Sequence, residues 1–132
     1  MEYNSKKLAC TIARILDDKL GKDIQILNIT NISVMSDYFV IASGTSTPQV
    51  RGMTQEVRER VKEYFETLPK GSENDNKNRW NLLDYGDVIV HVMHQEERET
   101  YAIEKFWNHA LKIEREDWLE ESKEFAKYEA NK

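Results

Sequence analysis

Five consecutive residues, Tyr38-Phe39-Val40-Ile41-Ala42, are apolar without alternation. A strand wetted on one side alternates apolar and polar residues, so this run predicts a central strand covered on both faces. The chain must therefore build a sheet with a packing layer on each side. With 132 residues it has length for one such core and not for two. A second run, Val88-Ile89-Val90-His91-Val92-Met93, offers Val88, Val90 and Val92 to one face and Ile89, His91 and Met93 to the other.

The remaining elements follow from periodicity. Leu8, Ile12, Ile15, Leu16 and Leu20 form one stripe of a first helix, with Ser5 as N-cap and Gly21 as its stop. Ile24, Ile26 and Asn28 alternate with polar neighbours over residues 23–29, which reads as a strand. After the central strand, Ser43-Gly44-Thr45-Ser46-Thr47-Pro48 is a turn into a second helix, with Thr47 as N-cap and Pro48 at its first position. Val50, Met53, Val57, Val61, Tyr64, Phe65 and Leu68 mark the buried side of that helix, and Pro69 stops it. Residues 70–78 are polar and read as a mobile loop. Two strands, over residues 79–83 and 88–93, flank the turn Asp84-Tyr85-Gly86-Asp87. A third helix starts near Glu96, with Ile103, Phe106, Trp107 and Ala110 on its buried stripe and Leu111 extending it.

Two adjacent strand pairs separated by one helix imply an α/β fold, a mixed sheet with helices packed on it. The chain divides into a domain over residues 1–110 and an acidic helical extension over residues 111–132. From Glu114 onward there are seven acidic and four basic residues, so the tail holds −3 of the net charge of −5. Leu111, Trp118 and Phe125 nevertheless recur every seven residues, which gives a solvated helix with a narrow aromatic seam rather than a disordered tail.

Charge and composition exclude several roles. Basic residues are interspersed with acidic ones, as in Lys62-Glu63 and Arg98-Glu99, which argues against direct nucleic-acid binding. An acidic protein can still work beside nucleic acid through a basic protein partner. No apolar stretch is long enough to span a bilayer, and the acidic, polar start does not resemble a signal peptide. The lone Cys10 suits a reducing compartment, so the expected location is the cytoplasm.

The candidate chemistry is thin. Asp84 and Asp87 could hold magnesium or share acid and base roles, but carboxylates three apart across a glycine turn usually bond the turn's own backbone. His91 and His94 point to opposite faces of a strand and lack further ligands, so no metal is expected. Gly44-Thr45-Ser46 before a helix resembles the start of a phosphate cradle, yet no lysine follows at the required spacing. Ser43 and Ser46 lack the elbow of a serine hydrolase, and Cys10 reads as a small core residue. No catalytic residues and no cofactor are assigned.

What stands out is the aromatic density from Trp80 to Trp107. Leu82, Val88, Val90 and Phe106 are the expected core members, and the two strands cannot bury every face in so short a chain. Part of the set should be exposed, rimmed by Asp84, Asp87, Arg98, Glu104 and Lys105, as in a protein-binding surface. Trp80 and Tyr85 fit either role.

The segments Ser36-Asp37-Tyr38-Phe39-Val40-Ile41-Ala42-Ser43-Gly44-Thr45-Ser46 and Trp80-Asn81-Leu82-Leu83-Asp84-Tyr85-Gly86-Asp87-Val88-Ile89-Val90-His91-Val92, followed by Arg98, Tyr101, Glu104 and Trp107, resemble the Iojap family, known in bacteria as the ribosomal silencing factors (RsfS). The resemblance runs from about Leu8 to Trp107. It implies a nucleotidyltransferase-like fold without the enzymatic activity, since the Asp-x-Asp pair that would face magnesium is absent. It further implies binding to the fourteenth protein of the large ribosomal subunit, where the small subunit docks, so that subunit joining is blocked and translation repressed. The residues carried over as partner-binding are Trp80, Asp84, Tyr85, Asp87, His91, Tyr101 and Glu104. Self-association as a homodimer is a further expectation from the family. The segment Lys70-Gly71-Ser72-Glu73 lacks a Glu-Gly pair common in relatives, and the resemblance does not reach the tail.

Two rival readings stay open at this point. One is a residual magnesium-dependent nucleotide-binding enzyme using Gly44, Ser46 and Asp84. The other is a plain dimerisation module whose aromatic face and tail meet only a second copy.

Overall fold

The computed structural model describes residues 4–74 and 77–132. Its elements, in chain order, are α1 (Ser5–Asp18), β1 (Lys22–Asn28), β2 (Tyr38–Gly44), α2 (Thr47–Phe65), β3 (Gly71–Asn74), β4 (Trp80–Asp84), β5 (Val88–His94), α3 (Gln95–Tyr101), α4 (Ile103–Phe106), β6 (Leu111–Ile113), α5 (Arg115–Glu121) and α6 (Lys123–Ala130). The six strands form one mixed sheet in the order β3-β4-β5-β2-β1-β6. β2 and β5 run parallel at its centre, and β1, β4, β3 and β6 join antiparallel. The mixed α/β architecture is thus the one the strand order implied.

Every residue of β2 and of β5 is buried, as an unalternating apolar run requires. Ile26, Val40, Ala42, Val88, Val90 and Val92 face one side, packed against α1, α2, Trp118 and Phe125. Leu27, Ile29, Phe39, Ile41, Ile89 and Met93 face the other, where Trp80, Leu82, Ile103, Trp107 and Ala110 pack on them.

Several local expectations need correction. Asn4, not Ser5, caps α1 by accepting the Lys7 N–H at 2.7 Å. Ser46, not Thr47, caps α2 by accepting the Gln49 N–H at 3.2 Å, which puts Pro48 one position further in. Leu20 and Leu68 fall beyond their helices and are exposed, because left-handed backbone at Leu20 and at Glu66 turns the chain away from each stripe. Residues 71–74 are not loop but an edge strand, on which Glu73 opposes Leu82. All four are exposed, so no alternation announced them; the unpaired edge of β4 recruits their backbone. The mobility expected for residues 70–78 falls partly on residues 75–76, which lie outside the described residues.

The third helix is broken by left-handed backbone at Ala102. The break shifts the helical phase, so Ile103 and Trp107 still pack on the sheet while Phe106 is 85% exposed. Leu111 opens β6 opposite Asn28 instead of continuing a helix, and it leaves the aromatic seam. Trp118 and Phe125, in contrast, are each 2% exposed. Arg14 donates to Ser122 Oγ (2.8 Å) and to the Leu119 carbonyl (2.7 Å), which seats the tail on α1.

Candidate functional site

The face of the sheet opposite α1 and α2 carries the candidate surface. Trp80 begins β4 opposite Met93, and Leu82 lies opposite His91. Two-residue alternation therefore sets Trp80 and Leu82 side by side on that face, while Asn81 and Leu83 turn to the other. The indole Nε1–H of Trp80 donates to His91 Nδ1 at 3.1 Å. Tyr101, at the end of α3, lies against the other side of the indole, with ring centroids 4.9 Å apart. Phe39 meets both His91 (5.1 Å) and Trp107 (5.3 Å) edge-on. Trp80 and Leu82 remain half-buried and Tyr101 is exposed; beside them Glu73 and Asn74 of β3 border a hollow of about 370 Å³.

The seven residues expected to bind a partner do not form one patch. Trp80, His91 and Tyr101 come together, but His91 is only 6% exposed and lies beneath the indole. Its burial pushes the imidazole pKa down to about 4, so the ring is neutral at neutral pH. Tyr85 is 3% exposed and packs in the layer of α1 and α2, on the opposite side from Trp80. Desolvation pushes its phenol up to about 12. Asp84 Oδ1 accepts the Gly86 N–H at 2.7 Å, the turn-forming role such a carboxylate usually has. The Asp87 carbonyl accepts the N–H groups of Asp37 (2.9 Å) and Tyr38 (3.1 Å), tying the hairpin to the start of β2.

Glu104 begins α4 next to the aromatic group, and its Oε1 accepts from Arg98 Nε at 3.2 Å. Arg98 is itself 6% exposed and also donates to the Lys22 carbonyl (3.2 Å). This ion pair clamps the α3–α4 break against the ends of β1 and β2. The sequence reasoning missed Leu82 as a surface neighbour and Glu73 as a rim residue. The alternation of β4 could have signalled the first; nothing local signals the second.

The nucleotide reading required Gly44, Ser46 and Asp84 in one place. Gly44 pairs with His94 at one end of the sheet, whereas Asp84 pairs with Ile89, the residue opposite Phe39. Five residues of strand, roughly 16 Å, separate the two levels. Gln49 also fills the loop that a phosphate would enter, its Oε1 accepting the Thr45 N–H at 2.8 Å. Cys10 is buried and its thiol is pushed up to about 12, well away from a reactive thiolate. His94 caps α3, its Nδ1 accepting the Glu96 N–H at 3.1 Å, and so works apart from His91.

Fold and surface together define a small α/β docking domain, with its distinctive side chains on a sheet face rather than around a reactive cleft. The chain belongs to the family described as "Ribosomal silencing factor during starvation", whose model matches residues 2–132. It is 38% identical over 107 residues to the ribosomal silencing factor RsfS of Bacillus subtilis, covering 81% of this chain and 90% of that protein. A mouse relative, "Mitochondrial assembly of ribosomal large subunit protein 1", is 32% identical over 101 residues, covering 73% of this chain and 43% of that protein. A crystal structure of a Chromobacterium violaceum protein superposes with a TM-score of 0.77 at 31% identity, covering 80% of this chain and 88% of that one. Among the described residues no helix is long and apolar enough to cross a membrane.

Proposed function

We propose that this protein docks on the large ribosomal subunit, on its fourteenth protein at the intersubunit face, and represses translation by keeping the small subunit from joining. The observation that carries the reading is the Trp80–Tyr101 pair, held half-open beside Leu82 on the more thinly covered face of the sheet. Aromatic side chains fixed in this way are the usual anchors of protein interfaces. Glu73 at the rim and the net charge of −5 suit a basic ribosomal protein, whose lysines and arginines would be drawn by the opposite field. The family description and the large-subunit title of the mouse relative support the same partner. Blocking by occupancy needs no reaction, and no catalytic group is assigned.

In this reading Trp80 and Tyr101 meet the partner, Asp84, Asp87 and Glu104 shape and flank the surface, and Tyr85 and His91 support it from within. Residues 1–110 form the docking domain, and residues 111–132 buttress it. A second copy would compete for exposed apolar groups, notably Val34 and Phe106, which favours a homodimer in the absence of ribosomes. The test is sucrose-gradient sedimentation of the protein with large subunits, followed by addition of small subunits. Comigration with the large subunit and a reduced joined peak are expected. A protein that stays at the top of the gradient at low salt would refute the reading.

A further inference from the structure

The central residue of this surface is buried behind it. We propose that His91 is a positioning residue: its Nδ1 holds the indole of Trp80 in the orientation the partner meets, and His91 itself does not reach the partner. This rests on the reading that Trp80 is a docking residue.

The geometry supplies each part. An indole N–H can only donate, so the 3.1 Å bond from Trp80 Nε1 requires an unprotonated acceptor at Nδ1 and places the imidazole proton on Nε2. His91 sits on β5, a strand buried along its whole length, and its ring is braced edge-on by Phe39 at 5.1 Å. Tyr101 closes the indole from the other side at 4.9 Å. Trp80 therefore has a hydrogen bond on its polar edge and a ring on its flank, although β4 is near the open side of the sheet. A half-exposed tryptophan without such a bond would sample other rotamers, and a partner would have to select one of them. Burial keeps the imidazole neutral, so the acceptor is available throughout the neutral range. Any partner that approaches the indole would thus meet a preset shape.

Nitrogen-15 NMR of the native protein tests the tautomer without a substitution. An unprotonated Nδ1 with the proton on Nε2 is expected, and a proton on Nδ1 would overturn the proposal. Two variants then separate positioning from contact. His91→Leu keeps an apolar filling but removes the acceptor, while His91→Asn offers a side-chain oxygen near the place of Nδ1. His91→Leu should shift the Trp80 indole N–H resonance and weaken large-subunit binding about five- to tenfold, the worth of one hydrogen bond. His91→Asn should restore both. Binding by folded His91→Leu at wild-type strength would overturn the assignment, and so would a folded His91→Asn that fails to rescue. Trp80→Ala separates the two levels. If it binds as well as the native protein, the docking reading falls and this proposal with it; if it loses binding while His91→Leu does not, only this proposal falls.

Discussion

The two faces of one sheet have been put to different uses. On one, α1, α2, α5 and α6 cover Val40, Val88, Val90 and Val92 so fully that Trp118 and Phe125 are sealed from water. On the other, two short helices cover Phe39, Ile41 and Met93, and leave Trp80 and Leu82 half-open and Tyr101 exposed. The same strands supply both faces through alternate residues, so composition does not distinguish them. The difference lies in what the chain lays over each side: long amphipathic helices and a returning tail on one, a helix broken at Ala102 on the other. The thickly covered face should therefore govern stability, and the thinly covered face should govern docking.

The strongest way to break that division is to cut into the thick face. Trp118→Ala should cost about 3–5 kcal/mol of stability, read in chemical denaturation, while the variant still binds large subunits under conditions where it is folded. Loss of binding from a folded Trp118→Ala protein would show that the tail takes part in docking.

Acid probes the thin face. The His91 pKa lies at about 4 in the folded chain against 6.5 for an unburied imidazole, so the unfolded state binds the extra proton first as the pH falls. This contribution to stability is complete above pH 6.5 and is lost as the pH drops toward 4, by about 3 kcal/mol at most. Comparison with His91→Asn isolates it from the carboxylates that titrate over the same range, and equal acid sensitivity of the two proteins would contradict the assignment.

Trp80→Ala combined with Asp84→Ala should cost about 2 kcal/mol of stability, less than Trp118→Ala alone, and yet abolish large-subunit binding. Unchanged cosedimentation of the folded double variant would remove this face from the docking surface. The smallest effect expected is that of Arg115→Ala. Arg115 pairs with Asp17 at 2.9 Å but is 60% exposed, so its loss should change stability by less than about 1 kcal/mol in the same denaturation assay. A larger effect would mean that ion pairs, and not the apolar seam, hold the tail.

Much of this arrangement was legible from local pattern. The apolar runs of β2 and β5, the stripes of α1 and α2 and the Asp84–Asp87 turn all appear where periodicity put them, because each is governed by neighbours a few residues apart. Trp80 and Tyr101 were legible as candidates for the surface. The separation of Tyr85 from them was not, since the turn carries Tyr85 to the opposite layer and no spacing rule describes that. The strand at residues 71–74 was hidden for another reason. It buries no side chain, and only the free edge of β4 gives its backbone a partner.

The amino-acid sequence by itself determined the elements of the central sheet, the mixed strand order and the membership of the family, because these rest on periodicity and motifs that persist wherever the chain is placed. Tertiary structure alone decided that the tail returns to α1, that Phe106 faces outward, and that His91 supports Trp80 from beneath. Those outcomes depend on groups far apart in the chain. Arg14 meets Leu119 and Ser122, and Trp80 meets His91 and Tyr101, only after the sheet has brought them together. Which apolar residues are sealed and which stay open is settled by competition for a limited covering layer, and that competition has no local signature.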